Sequence, residues 1–121
     1  MDFDAALRAH LETIERRDLD GYVATIHVDV TVVLPNGAVL AGRDAVTEFH
    51  RSWFASDTWR MRTIVERSYT VGATGVALLA TSYDDVDDTG TPYHSENRLG
   101  LVFARQDDGS WLLVYDQNTG R

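Results

Sequence analysis

The spacing of apolar residues divides this chain near Ser56. Before that point, apart from one β-branched stretch and its hairpin, apolar side chains recur every three to four residues, the repeat of a helix with one buried face. Beyond it they alternate, the repeat of a strand with one buried face. The stripe Phe3, Leu7, Leu11 and Ile14, with Ala6 and His10 beside it, predicts a first helix ending near Arg17. Asp18 is suited to cap a second helix over Leu19 to His27, which would bury Leu19, Tyr22, Val23 and Ile26. Val28 to Leu34 is rich in β-branched residues, and Pro35-Asn36-Gly37 signals a hairpin into Ala38 to Ala41. A third helix opens at Gly42-Arg43-Asp44, with Val46, Phe49, His50, Trp53 and Phe54 on one face.

Four long strands follow: Trp59 to Val71, Val76 to Asp84, Tyr93 to Arg105 and Trp111 to Asn118. Gly72-Ala73-Thr74-Gly75, the acidic stretch Asp84 to Gly90, and Asp107-Asp108-Gly109 supply the reversals between them. Helices first and strands afterwards predict an α+β fold. Three N-terminal helices would pack on a strongly curved antiparallel sheet, a cone-shaped α+β barrel with a mouth at one end. At 121 residues, the chain 1–121 is expected to be a single domain.

Composition removes several chemistries. There is no cysteine, hence no disulfide, thiolate nucleophile or sulfur-ligated metal. All eleven cations are arginine, so a Schiff-base lysine and a phosphate-loop lysine are also excluded. A formal charge of −8 disfavours nucleic acid as a partner. The N-terminus MDFDAALRAH lacks the basic and apolar regions of a signal peptide, and no apolar run approaches membrane-spanning length. A cytoplasmic protein without membrane contact is expected. Asp85 to Glu96 matches most of a calcium-loop pattern, but Thr89 stands where Asp or Asn belongs and both flanks read as strands. Asp84 to Asp88 is read as a solvated hairpin tip. His27 and Asp29 lack a third ligand by spacing, and no metal or cofactor is called for.

Several stretches, in order, resemble a known family. They are Asp18-Leu19-Asp20-Gly21, Asp29-Val30-Thr31-Val32, Gly42-Arg43-Asp44-Ala45-Val46-Thr47-Glu48-Phe49, and the ending Asp108-Gly109-Ser110-Trp111-Leu112-Leu113-Val114-Tyr115-Asp116-Gln117-Asn118. The chain resembles the SnoaL-like and ketosteroid-isomerase-like proteins of the nuclear transport factor 2-like superfamily over nearly its whole length. That superfamily hosts isomerases, cyclases, dehydratases, epoxide hydrolases and non-enzymatic binding domains, so the resemblance implies a fold before it implies an activity. Overlaying the steroid isomerase pattern puts its helix-one oxyanion tyrosine at His10 and a neighbouring helix-three tyrosine at His50. Its general-base aspartate falls on Leu34, before Pro35, and its protonated aspartate near Leu101. Leucine cannot take a proton, so steroid isomerase activity is not carried over.

The candidate catalytic residues are His10, His50 and Asp116. His10 lies on the buried stripe of the first helix and is expected to face the hollow; its competing reading is a neutral core histidine. His50 carries the same two readings. Asp116 ends an otherwise apolar strand, where an inward carboxyl would desolvate and rise in pKa; outward, it would pair with an arginine such as Arg98. The overlay favours Leu112, Val114, Asp116 and Asn118 pointing inward. Tyr22, Trp53, Phe54, Asn97 and Asn118 are the candidate substrate-binding residues, with packing as the alternative for the aromatics. These features predict a cofactor-free acid–base enzyme of cyclase, isomerase or dehydratase type on a small apolar carbonyl or polyketide-like compound. The alternative is a non-catalytic small-molecule-binding or oligomerisation module. Apolar residues on both faces of the last two strands predict a homodimer.

Overall fold

A computed structural model describes all residues from Met1 to Arg121. Helix α1 spans Phe3–Glu15, α2 Leu19–Val23 and α3 Arg43–Phe54; strands β1 to β6 span Ile26–Val33, Val39–Ala41, Arg60–Val71, Thr74–Val86, Pro92–Arg105 and Trp111–Gly120. Asp2 and Asp18 cap α1 and α2, their carboxylates accepting from Ala5 N at 2.8 Å and Gly21 N at 3.0 Å. The second helix is shorter than its sequence suggests. Thr25 Oγ1 donates to the Tyr22 carbonyl at 2.6 Å, closing the helix so that Ile26 enters β1 instead.

The six strands form one curved sheet in the order β2-β1-β6-β5-β4-β3, and the helices pack on its concave side. Two expectations need correction. The sheet is mixed, because β1 runs parallel to β6, with Val32 beside Asp116 and Val33 beside Gln117. The long excursion through β2, α3 and three further strands separates this pair, and such a crossover is what a parallel neighbour requires. The sheet also does not close into a barrel: β2 and β3 are its free edges. No helix is long and apolar enough to cross a membrane.

The core is a cluster of 18 buried apolar residues gathered between helices and sheet, with Tyr22, Ile26, Leu79, Leu101, Phe103 and Leu113 fully enclosed. Strand β6 carries an irregularity with direct consequences. Phe103 pairs with Leu113 and the adjacent Val102 with Tyr115, so Val114 is an extra residue, a β-bulge. Before the bulge Trp111 and Leu113 are buried; after it the inward positions are Asp116 and Asn118, opposite Leu101 and Leu99. The expectation that Leu112 and Val114 share the inward face with Asp116 and Asn118 is thereby corrected. An uninterrupted period of two cannot place both groups inside, and the bulge resets it.

Gly75 sits opposite Phe103 on β4 and leaves room for the Phe3 ring, which packs at 5.4 Å from both Phe103 and Trp111. A Cβ at Gly75 would lie 2.5 Å from the Phe3 ring carbons. Gly75→Ala is therefore expected to lower stability by about 1–3 kcal/mol through overpacking, measured by urea unfolding, with Gly100→Ala as the control because nothing stands near its added methyl.

Candidate functional site

The inward faces of β1, β4, β5 and β6, together with α3 and the Leu34-Pro35 turn, enclose a cavity of about 400 Å³. Its wall is mostly apolar and aromatic, with Phe49, Trp53, Met61, Tyr83 and Tyr93 among the largest contributors. Against that wall stand a few polar groups: His50, Thr81, Ser95, Asn97, Asp116 and Asn118. This mixture, apolar walls with sparse polar fixtures, is the composition of small-molecule sites.

Five of the eight candidate residues line the cavity: His50, Trp53, Asn97, Asp116 and Asn118. His10, Tyr22 and Phe54 do not. The expectation that the His10 imidazole looks into the hollow is corrected by its packing. His10 is 1% exposed and touches Tyr22 and Phe103, with ring centroids 5.2 Å and 5.5 Å away. Tyr22, itself wholly buried, stacks on His50 at 4.1 Å. The order from core to cavity is thus His10, Tyr22, His50, and the large residue on α2 fills the space that would have opened His10 to the hollow. Phe54 packs edge-on against Tyr22 and His50 in the same layer.

The chemistry of each polar group follows from its partners. His50 Nδ1 lies 2.7 Å from the Val46 carbonyl one turn back, so it carries the proton and Nε2 keeps a free lone pair. Burial pulls the His50 pKa down to about 4, against a raising effect from that backbone bond. His10 Nδ1 bonds to Thr25 Oγ1 at 2.8 Å; because that hydroxyl already donates to Tyr22, the imidazole is the donor. Burial, with a smaller effect from the charge of His50, takes His10 down to about 3. Both imidazoles are neutral at physiological pH.

Asp116 moves the other way. Burial raises its carboxyl to about 7, the one cause of the shift. It is partly buried and lines the cavity. Arg98, the expected outward partner, lies on the opposite face of β5 and makes a two-pronged pair with Glu66 instead, at 2.8 and 3.2 Å. The Tyr22 hydroxyl, buried without a hydrogen-bond partner, is kept protonated by burial and by the nearby Asp116 charge. Asn118 Oδ1 is likewise buried without a donor. At the mouth, Trp53 Nε1 donates to the Tyr83 hydroxyl at 3.1 Å, which donates to Asp85 at 2.9 Å; this chain fixes two aromatic walls.

Thr81, Tyr83 and Ser95 were not singled out from sequence, although strict alternation from Leu79 and Asn97 would place them inside. Phe49 faces the mouth and stays 39% exposed, as a helix-rim position allows.

A SnoaL-like domain family model matches residues 7–114, and the chain belongs to that family. Its fold is similar to that of a ketosteroid isomerase-like protein from Erwinia carotovora atroseptica SCRI1043 (TM-score 0.83, 21% identity, 97% of this chain and 92% of the other covered). It is also similar to a nuclear transport factor 2-like superfamily protein from Salmonella enterica serovar Typhimurium LT2 (TM-score 0.78, 18% identity, 96% and 86% covered). A third likeness is to the association domain of C. elegans CaMKII (TM-score 0.72, 17% identity, 98% and 92% covered). No curated protein matches the chain in sequence.

The opposed shifts of these buried groups set how stability depends on pH. The folded chain keeps the Asp116 proton up to about pH 7, whereas an unfolded aspartate releases it near 3.8, so stability falls as pH rises between those values. For His10 and His50 the unfolded chain takes up protons below 6.5 and the folded chain only near 3 and 4, so stability falls as pH drops below 6.5. Two protons against one make the histidines prevail on the acid side. Stability is therefore expected to rise from about pH 4 to about pH 6.5 and to level off above roughly pH 7. Asp116→Asn removes the opposing effect of the carboxyl, so its stability should rise more steeply between pH 4 and 7 and exceed the parent by about 2–4 kcal/mol above roughly pH 7, converging with it near pH 4. Urea unfolding across this range reads the outcome directly.

Proposed function

We propose that the cavity is a cofactor-free acid–base site for a small, largely apolar carbonyl compound, of polyketide-like character, undergoing isomerisation, cyclisation or dehydration. The observation that carries the reading is one carboxyl, lifted to about 7 by burial, on the wall of an otherwise apolar hollow. A group with that pKa is present in both protonation states near neutrality and can accept a proton from one position and return it to another. The residues divide the work as follows. Asp116 is the proton shuttle. His50 Nε2 is a neutral acceptor that orients a substrate hydroxyl, and the amides of Asn97 and Asn118 hydrogen-bond the substrate's oxygens, where a developing enolate charge needs stabilising. Trp53 supplies an aromatic wall, while Tyr22 and Phe54 support His50 from behind. His10 is a positioning residue: it packs on the Tyr22 ring and, through Thr25, holds the end of α2.

The convex face of the sheet is the proposed homodimer surface. Val76, Leu78, Val102 and Tyr115 lie there only partly buried around a shallow groove, an apolar patch on the side of the sheet that water would normally cover. The likeness to a CaMKII association domain supports that use of the fold.

A panel of aromatic polyketide, enone and β-hydroxyketone compounds tests the catalytic reading by turnover and by thermal shift. Asp116→Asn is expected to lower kcat by roughly 10²- to 10⁴-fold while compounds still bind. His50→Gln should raise KM more than it lowers kcat. If ligands bind but Asp116→Asn leaves turnover at the uncatalysed background rate already seen with the parent, the chain is a binding module and the acid–base assignment fails. Light scattering that finds a monomer at micromolar concentration overturns the dimer.

A further inference from the structure

Beside the cavity, a second groove of about 600 Å³ runs between the end of α1 and the free edge strand β3. The two share only Ile14 and Met61 as a common wall. The new groove holds Arg17, Arg60, Arg62 and Arg121, four of the eleven arginines of a chain whose formal charge is −8. An Nη of Arg17 and an Nη of Arg60 donate to the same acceptor, the Trp59 carbonyl. Two guanidinium groups are thus held side by side on one neutral oxygen. Arg60 also takes the carbonyl of Asp57 at 3.0 Å rather than its carboxylate. Neither Arg17 nor Arg60 forms an ion pair, and the side chain of Arg62, two residues along β3, makes no hydrogen bond or ion pair. Arg121 alone reaches an acid, Glu96 at 3.4 Å; Glu15 is the one carboxylate residue in the groove wall.

The backbone under Arg17 makes its identity informative. Asp18 N bonds to the Thr13 carbonyl at 2.8 Å and Arg17 N to Ile14 at 3.1 Å, the paired bonds of a Schellman ending to α1. The residue at its turning point takes a left-handed conformation, φ 54°, and glycine is the residue that adopts it without strain. Here an arginine occupies it, with its guanidinium 4.1 Å over the Trp59 ring. Like charges brought together without counter-ions repel, and an anion between them relieves that repulsion while accepting their free N–H donors.

We propose that this groove binds the anionic head, carboxylate or phosphate, of a small amphiphile whose apolar part lies along Leu11, Ile14 and Met61. The site stands apart from the Asp116 chemistry.

The test uses the full chain with octanoate, octyl phosphate and octan-1-ol, titrated by nuclear magnetic resonance of the arginine Nε–H groups and backbone amides. Octanoate, octyl phosphate or both should shift Arg17, Arg60 and Arg62, and whichever binds more tightly identifies the head group; octan-1-ol should not. Arg62→Ala breaks no hydrogen bond or ion pair, so its melting temperature should match the parent while affinity falls about tenfold, the worth of one charge-assisted hydrogen bond. Arg17→Gly relieves the left-handed strain and should weaken binding at least as much. Asp116→Asn should leave octanoate binding unchanged. The proposal is overturned if octan-1-ol produces the same shifts, if the shifts fall on Asn97 and Asn118 instead, or if Arg62→Ala binds octanoate as the parent does.

Discussion

One extra residue in one strand decides which side of the sheet carries a buried carboxyl. Were β6 regular, burying Trp111 and Leu113 would also turn Tyr115 and Gln117 inward and send Asp116 to the surface, where its carboxyl would be ordinary. The bulge at Val114 lets both requirements be met: apolar anchors at the base of the strand and a carboxyl at the cavity end. Everything unusual about Asp116 follows from that reset, because desolvation acts only on a group that the backbone points away from water. The neighbouring strand accommodates the change with an irregularity of its own, between Ile26 and Thr31 of β1.

Behind the cavity wall lies a layer of ring against ring, His10, Tyr22 and His50, that is polar in composition yet dry. A charged imidazole there would repel its twin and lose its hydration, so both stay neutral, and neutrality fixes their tautomers through the Thr25 and Val46 bonds. The layer gives His50 a rigid seat. The open atoms at its margin, the Tyr22 hydroxyl and Asn118 Oδ1, show that polar satisfaction was not the principle of construction on this side. Buried polar groups left unmatched are costly, and they are tolerated where a site needs them.

Most of the architecture was legible because burial on one face writes itself as period: α1, α3 and the four long strands lie within a few residues of where the pattern puts them, and α2 begins where it puts it. What escaped was governed by single atoms or by distant neighbours. The early end of α2 depends on one threonine hydroxyl. The parallel β1–β6 pairing joins segments some eighty residues apart, and local pattern carries no trace of it. The bulge is invisible because Trp111 to Tyr115 is apolar on both faces, so a shift of register leaves no mark in the pattern. His10 shows the complementary failure. Its place on the buried stripe was readable, but whether a buried face meets packed side chains or empty space depends on how large the opposing residues are, here Tyr22 and Phe103.

The bulge also explains how this chain can lack both carboxyls of the steroid isomerase pattern and still present one. The overlay leaves leucine at both positions, Leu34 and Leu101. Leu101, however, is the direct cross-strand partner of Asp116, on the same inward face, and paired Cβ atoms stand about 5 Å apart. The carboxyl has in effect moved one strand over, from β5 to β6, still against the same hollow. Leu34 lines that hollow as well, so no second carboxyl shares it to hold Asp116 protonated or to force it ionised. A lone acid in an apolar cavity has its pKa set by solvation alone. Its protonation is therefore sensitive to whatever fills the space: an apolar guest drives out water and favours the acid, whereas a guest offering a hydrogen bond favours the carboxylate. On this chain, whatever fills the cavity is part of what determines whether Asp116 holds its proton.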